Sequence, residues 1–149
     1  MITKPIRLLL GRTDIVDFPK LNLEGINIKV DTGAYTSSFH SHSIEVVDEV
    51  LKCKFLDPSH EQYHEKYFLF KNFTQKKVKS SNGIVETRFT IKTEILIFNK
   101  IEEIDLTLTE RGSMKYPVLL GRKFLSKKFI VDTAKKNLSF KNKIKTSIN

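Results

Sequence analysis

The chain has 149 residues, 40% hydrophobic and 29% charged, which is ordinary for a soluble globular protein and long enough for one domain over residues 1–149 to bury a core. A net charge of +9, from 26 Lys and Arg against 17 Asp and Glu, favours acidic partners, set against the simpler reading of scattered surface lysines. One cysteine, Cys53, excludes an internal disulfide and fits a reducing, cytoplasmic setting; Leu8-Leu9-Leu10 is too short for a signal-peptide core, and no run reaches membrane-spanning length.

In chain order, Ile6 to Leu10 reads as a strand ending at Gly11-Arg12, and Ile15 to Phe18 as a short extended piece stopped by Pro19. Asn22 to Gly25 turns the chain into a strand, Ile26 to Val30, which delivers Asp31 onto a turn of small residues, Thr32, Gly33 and Ala34. Ile44 to Leu51 and Lys52 to Leu56 are expected as strands separated by a bend. Cys53 lies within the second as a buried structural thiol. Asp57-Pro58-Ser59 opens a polar loop, and Tyr67 to Phe70 is a strongly apolar strand. Asn82-Gly83 marks a hairpin between Lys76–Ser80 and Ile84–Phe98. In the second arm Phe89, Ile91, Thr93, Ile95 and Ile97 alternate with Arg88, Thr90, Lys92 and Glu94, the signature of a half-buried strand. Ile101 to Thr109 repeats that alternation through Ile104, Leu106 and Leu108. A short strand, Val118 to Leu120, precedes one helical turn at Arg122 to Ser126. Lys128 to Asp132 and Asn137 to Phe140 read as a closing hairpin, residues 141–149 as a frayed tail, and no internal repeat is read. Short strands with turn signals throughout predict an all-β, closed barrel-like domain with at most one short helix.

Two stretches carry the chemistry. Asp31-Thr32-Gly33 sets an acid at a strand end, and Gly33 permits backbone conformations closed to other residues and the close approach of another chain. By itself this also suits an ordinary strand-ending turn. Tyr116-Pro117-Val118-Leu119-Leu120-Gly121-Arg122 is the second stretch. Together they resemble the retropepsin-like aspartic peptidases, which pair an Asp-Thr-Gly-Ala turn with a later apolar-apolar-Gly-Arg segment passing beneath it. The resemblance is nearer to a bacterial family formerly labelled ATP-dependent zinc proteases, with Asp-Thr-Gly-Ala-x-Thr-Ser-x-x-His at Asp31 to His40, Ser-Ser-x-Gly-x-x-Glu-x-Arg at Ser80 to Arg88, and Leu-Leu-Gly-Arg at Leu119 to Arg122. It covers nearly the whole chain.

That resemblance implies an acid-protease barrel and an endopeptidase in which two carboxylates share a proton across a water. With one Asp-Thr-Gly in the chain, the second Asp31 would come from a second copy. It implies that Asp31, Thr32 and Gly33 are the catalytic turn. Ala34, His40, Ser80, Ser81, Gly83, Glu86, Arg88 and Arg122 would lie on the substrate side, and Ser80 to Arg88 would form a flap. Arg122 has a competing role bracing the dimer, and His40 a structural one. Tyr35 stands where viral retropepsins carry an acid. Relatives are linked to ATP-grasp glutamate ligases, which implies a substrate with an acidic, glutamate-rich tail. No cofactor is implied, and no nucleotide-binding loop supports ATP dependence.

Other readings come from the residues themselves. His60-Glu61-Gln62-Tyr63-His64 matches the zinc-peptidase pattern, which needs a helix to put His60, Glu61 and His64 on one face; following Pro58 and running into a strand, it reads as a chance match in a loop. His40 and His42 alternate along a strand and could face a common metal. Val131-Asp132-Thr133-Ala134 echoes the catalytic turn without its glycine and reads as a strand end. A non-catalytic module binding acidic peptide or RNA is the third class, and it lacks aromatics interleaved with Arg and Lys.

Overall fold

A computed structural model describes residues 6–79, 81–110 and 115–148, with side chains through residue 143. The strands are β1 (Leu8–Leu10), β2 (Thr13–Phe18), β3 (Leu23–Val30), β4 (Ser37–Val47), β5 (Val50–Phe55), β6 (Phe68–Phe70), β7 (Thr74–Lys79), β8 (Val85–Ile97), β9 (Lys100–Thr109), β10 (Val118–Leu120) and β11 (Phe129–Val131). Two helices, α1 (Arg122–Leu125) and α2 (Leu138–Ile148), complete the described elements, with a 3-10 turn at Pro19–Leu21.

Six strands in the order β10-β3-β2-β8-β9-β4 close on themselves through the β10–β4 pairing, giving the expected barrel. The alternation in β8 and β9 turns Ile91, Ile95, Ile97, Ile104, Leu106 and Leu108 into the core, with Phe18, Phe39 and Leu120 from neighbouring strands. β5 and β6 extend the sheet beyond β4, while β7 pairs only with β8 and stands out from the barrel. Cys53 is fully buried in β5, and burial pushes its thiol up to about 12.

Three local expectations are corrected. The bend near Leu51 is instead a tight hairpin at Asp48–Glu49, both residues having positive φ (52° and 65°), the form that matches the twist of paired strands. The closing hairpin is absent: β11 pairs in parallel with β1, and residues expected as a strand and a frayed tail form α2. A remote side chain decides this. Asp14, 1% exposed on β2, accepts the backbone N–H of Ser139 at 2.9 Å and of Phe140 at 3.0 Å, filling the donors that a helix start leaves open. The Ser139 hydroxyl accepts the Phe98 N–H at 2.8 Å, and Lys143 pairs with Asp17, so α2 is pinned along the barrel. No helix among the described residues is long and apolar enough to cross a membrane.

Candidate active site

β3 ends at Val30, and the next residue turns. The Asp31 N–H donates to the Leu120 carbonyl at 2.9 Å, and the Asp31 Oδ1 accepts the Gly33 N–H at 3.0 Å. Ala34 closes the turn on the Asp31 carbonyl at 3.2 Å. β10 runs between the two limbs of this turn, parallel to β3 on one side and antiparallel to β4 on the other. Gly121 then emerges beneath it. Its N–H donates to the buried Ser37 Oγ at 3.0 Å, the Arg122 N–H to the Ala34 carbonyl at 2.9 Å, and the Lys123 N–H to the Tyr35 carbonyl at 2.8 Å. A Cβ at Gly121 would meet the Thr36 carbonyl oxygen at 2.5 Å, so only glycine passes here. The Arg122 guanidinium donates to the Thr32 carbonyl at 2.9 Å and lies 5.9 Å from the Tyr35 ring. The turn therefore hangs on a threaded segment and is held by backbone bonds, while Thr32 and Gly33 stay exposed.

Gly33 does not have a left-handed backbone; the glycines with positive φ are Gly25 and Gly83. Its small size serves space instead, since a Cβ would lie 3.3 Å from the Asp31 Oδ1.

The chain builds the same device twice. Leu8-Leu9-Leu10-Gly11-Arg12 threads the turn at Asp132-Thr133-Ala134 just as Val118 to Arg122 threads the turn at Asp31. The Asp132 N–H donates to the Leu10 carbonyl at 2.8 Å, Ala134 N–H to the Asp132 Oδ1 at 2.9 Å, and the Arg12 guanidinium to the Thr133 carbonyl at 3.3 Å. A Cβ at Gly11 would sit 2.4 Å from the Lys135 carbonyl oxygen. The expectation of no repeat is thus corrected. Half of the signal, the Val-Asp-Thr echo at Asp132, is visible in the sequence; the matching Leu9-Leu10-Gly11-Arg12 escapes because the two motifs exchange order along the chain.

A cleft of about 510 Å³ opens beside Ala34 and Thr36, with Ser38 and Leu119 in its wall. Glu86, Thr87 and Arg88 border it from β8, so one arm of the hairpin formed by β7 and β8 shares this cleft with Ala34 and Thr36. Glu86 and Arg88 pair at 3.8 Å. Ser81 and Gly83 lie at the exposed hairpin tip, away from the cleft wall, and Ser80 falls outside the described residues. Arg122 is engaged with its own turn rather than with the cleft. Sequence reasoning missed a second cavity, of about 650 Å³, which shares Thr36 and Thr107 with the cleft. Lys71, Lys92 and Lys123 line it, and Asp105 draws Lys123 to 2.9 Å and Lys92 to 3.9 Å. Only the fold brings these three lysines together.

The loop expected at the His60 motif is present. Residues 57–66 form turns rather than a helix, the His60 Nδ1 accepts the Gln62 N–H at 3.1 Å, and the His64 ring packs on Phe68 at 5.0 Å. Among the described residues no three His, Cys, Asp or Glu side chains are placed to hold a metal ion.

Residues 9–142 match the RimB-like family, described as retropepsin-like aspartic endopeptidase RimB. The chain belongs to this family. The chain is also similar to probable alpha-L-glutamate ligases from Shewanella halifaxensis, 32% identical over 130 residues, and from Parasynechococcus marenigrum, 30% identical over 132 residues. In both cases 85% of this chain is matched, but it spans only 28% of the relative's length. A crystal structure of a Legionella pneumophila protein of unknown function has the same fold, with a TM-score of 0.69 over 90% of this chain and 99% of that one at 23% identity.

Proposed function

We propose that the chain is an aspartic endopeptidase that works as a pair of copies, each contributing Asp31. The threaded turn carries this reading: backbone bonds hold a half-buried carboxylate at the tip of an exposed Thr32-Gly33 turn, where a second identical tip can meet it. Two carboxylates brought that close would share a single proton across a bound water. The ionised member takes a proton from water as it attacks the peptide carbonyl. The protonated member donates to the carbonyl oxygen; the proton taken from water then passes to the amine nitrogen as the C–N bond breaks, and a diol hydroxyl returns its proton to the second carboxylate. Excluding bulk water falls to the β7–β8 hairpin, whose arm borders the cleft with Glu86 and Arg88.

The proposed substrate is a polypeptide with an acidic, glutamate-rich tail. Support comes from the three lysines beside the turn, from Arg88 in the cleft wall, and from the net charge of +9. The relatives named probable alpha-L-glutamate ligase fit a link to glutamate chemistry, although the chain spans only 28% of them and the ligase activity itself is not carried over.

Asp31→Asn tests the chemistry. Cleavage of a fluorogenic oligoglutamate peptide should fall about 10²–10⁴-fold or more with the fold and self-association retained. Full turnover in the folded variant would end the aspartic reading. Wild-type specific activity should drop on dilution, and a fully active monomer in sedimentation would remove the two-copy requirement.

A further inference from the structure

The lysine-walled cavity of about 650 Å³ is built on one face of the β8–β9 ribbon. Ile91 and Leu106, paired across that ribbon, turn into the core, so the residues on either side of them face the other way. Two paired rungs result: Thr90 with Thr107, their hydroxyls 3.2 Å apart, and Lys92 with Asp105. Lys123 enters from α1, and Lys71 from the connection between β6 and β7. The cavity adjoins the cleft directly. Along β8, residues 86–89 line the cleft and residues 90–92 the cavity, and the two share Thr107 on β9 and Thr36 just after the Asp31 turn.

A carboxylate already sits among these lysines. The Asp105 Oδ2 accepts the Lys123 Nζ at 2.9 Å, and its Oδ1 faces the Lys92 Nζ at 3.9 Å. One carboxylate thus takes two ammonium groups, one on each oxygen, and this pairing shows which chemistry the lysines accept. Lys71, in the same wall, makes no ion pair among the described residues. The side chains of Lys92 and Lys123 are 66% and 54% exposed, and ion pairs so exposed are held weakly. An ammonium on a flexible four-carbon stem can exchange one carboxylate for another. Asp105 is placed to give way. It also lines a smaller cavity of about 240 Å³ on the far side, with Glu103 and Lys128.

We infer that the cavity is a carboxylate subsite of the polypeptide groove and that Asp105 is its internal occupant: an acidic side chain of the bound polypeptide replaces Asp105 at Lys92 and Lys123, with Lys71 adding a third ammonium. The inference rests on the reading of the cleft as a peptide site. It makes Asp105 a specificity-determining residue that opposes binding, because its charge both occupies the lysines and repels an incoming carboxylate. It also sets a spacing. Arg88 in the cleft wall is four strand residues from Lys92, about 13 Å along β8, so an extended polypeptide would present acidic side chains four residues apart to the two.

The test reads binding, not turnover. N-acetyl-pentaglutamate amide is titrated into uniformly ¹⁵N-labelled Asp31→Asn protein, in which the proposed chemistry is disabled, with the pentaglutamine analogue as control. The glutamate probe should cause saturable amide shifts at Thr36, Thr107 and Lys123 and bind about tenfold more tightly than the glutamine one at low salt. Adding Asp105→Asn should tighten glutamate binding by about threefold or more and leave glutamine binding unchanged. Adding Lys92→Gln with Lys123→Gln instead should remove most of the preference, while core amides such as Ile95 and Leu106 keep their positions. Equal binding of the two probes, glutamate binding unchanged or weakened by Asp105→Asn, or an undiminished preference in the folded lysine variant would each overturn the subsite. Those outcomes concern binding alone and leave the peptidase reading untouched. A wild-type protein that selects glutamate by this pattern yet cleaves nothing would sink the peptidase reading alone.

Discussion

Gly121→Ala and Gly11→Ala form a matched pair that separates stability from catalysis. At Gly121 an added Cβ would stand 2.5 Å from the Thr36 carbonyl oxygen and 2.7 Å from that of Tyr35. These are backbone atoms, and the Tyr35 carbonyl is already tied to the Lys123 N–H, so no flexible side chain can swing clear. Relief requires the turn and the threaded segment to part by about 1 Å, at an overpacking cost of about 1–3 kcal/mol, plus about 1 kcal/mol for a weakened hydrogen bond. At Gly11 the same group would lie 2.4 Å from the Lys135 carbonyl oxygen, so a similar loss of about 2–4 kcal/mol is expected. Urea unfolding should show both losses. Turnover of the folded protein should not follow them equally. Gly121→Ala moves the turn carrying Asp31 and should cost about 10²-fold, the scale of a 1 Å misplacement; Gly11→Ala moves the turn carrying Asp132 and should stay within about tenfold of wild type. Equal loss of turnover in the two folded variants, or unfolding midpoints unchanged in both, would refute the reasoning.

Burial raises the Asp14 carboxyl above its ordinary value, an effect only partly offset by the N–H donors of Ser139, Ile15 and Phe140. Its folded form thus favours the proton, so its contribution is full at low pH and declines as pH rises through the raised value; the stability of wild type relative to Asp14→Asn should improve from pH 7 to pH 4 in urea titrations, and a flat or opposite trend would contradict the assignment. The Cys53 thiol should react with a disulfide reagent at pH 8 only on unfolding, which a single labelling trace with and without denaturant checks. Gly83 has φ of 85° and open space around it, so Gly83→Val should cost only backbone strain, about 1–2 kcal/mol, while a working flap would lose more in kcat than in thermal stability; the reverse would remove the hairpin from the mechanism.

Much of the barrel is legible in local pattern. Alternation in β8 and β9 records which face meets the core, and Asp31-Thr32-Gly33 with Leu119-Leu120-Gly121-Arg122 announces a threaded turn, because only glycine can pass under those carbonyls. The identity of β11's partner is not recorded locally, since a three-residue apolar strand pairs as well in a hairpin as in parallel with β1. Nor is α2: Asn137 to Phe140 reads as extended until Asp14, 125 residues away from Ser139, supplies the acceptor that starts a helix. The His60 motif fails for the converse reason, its helix never forming in a loop tied down by Gln62, Tyr63 and Glu65. The cavity lined by Lys71, Lys92 and Lys123 was likewise decided only in three dimensions. Short-range periodicity determines which side of a strand is apolar, but the charge of a groove is the sum over loops and strands distant in sequence, and closure of the barrel alone brings them together.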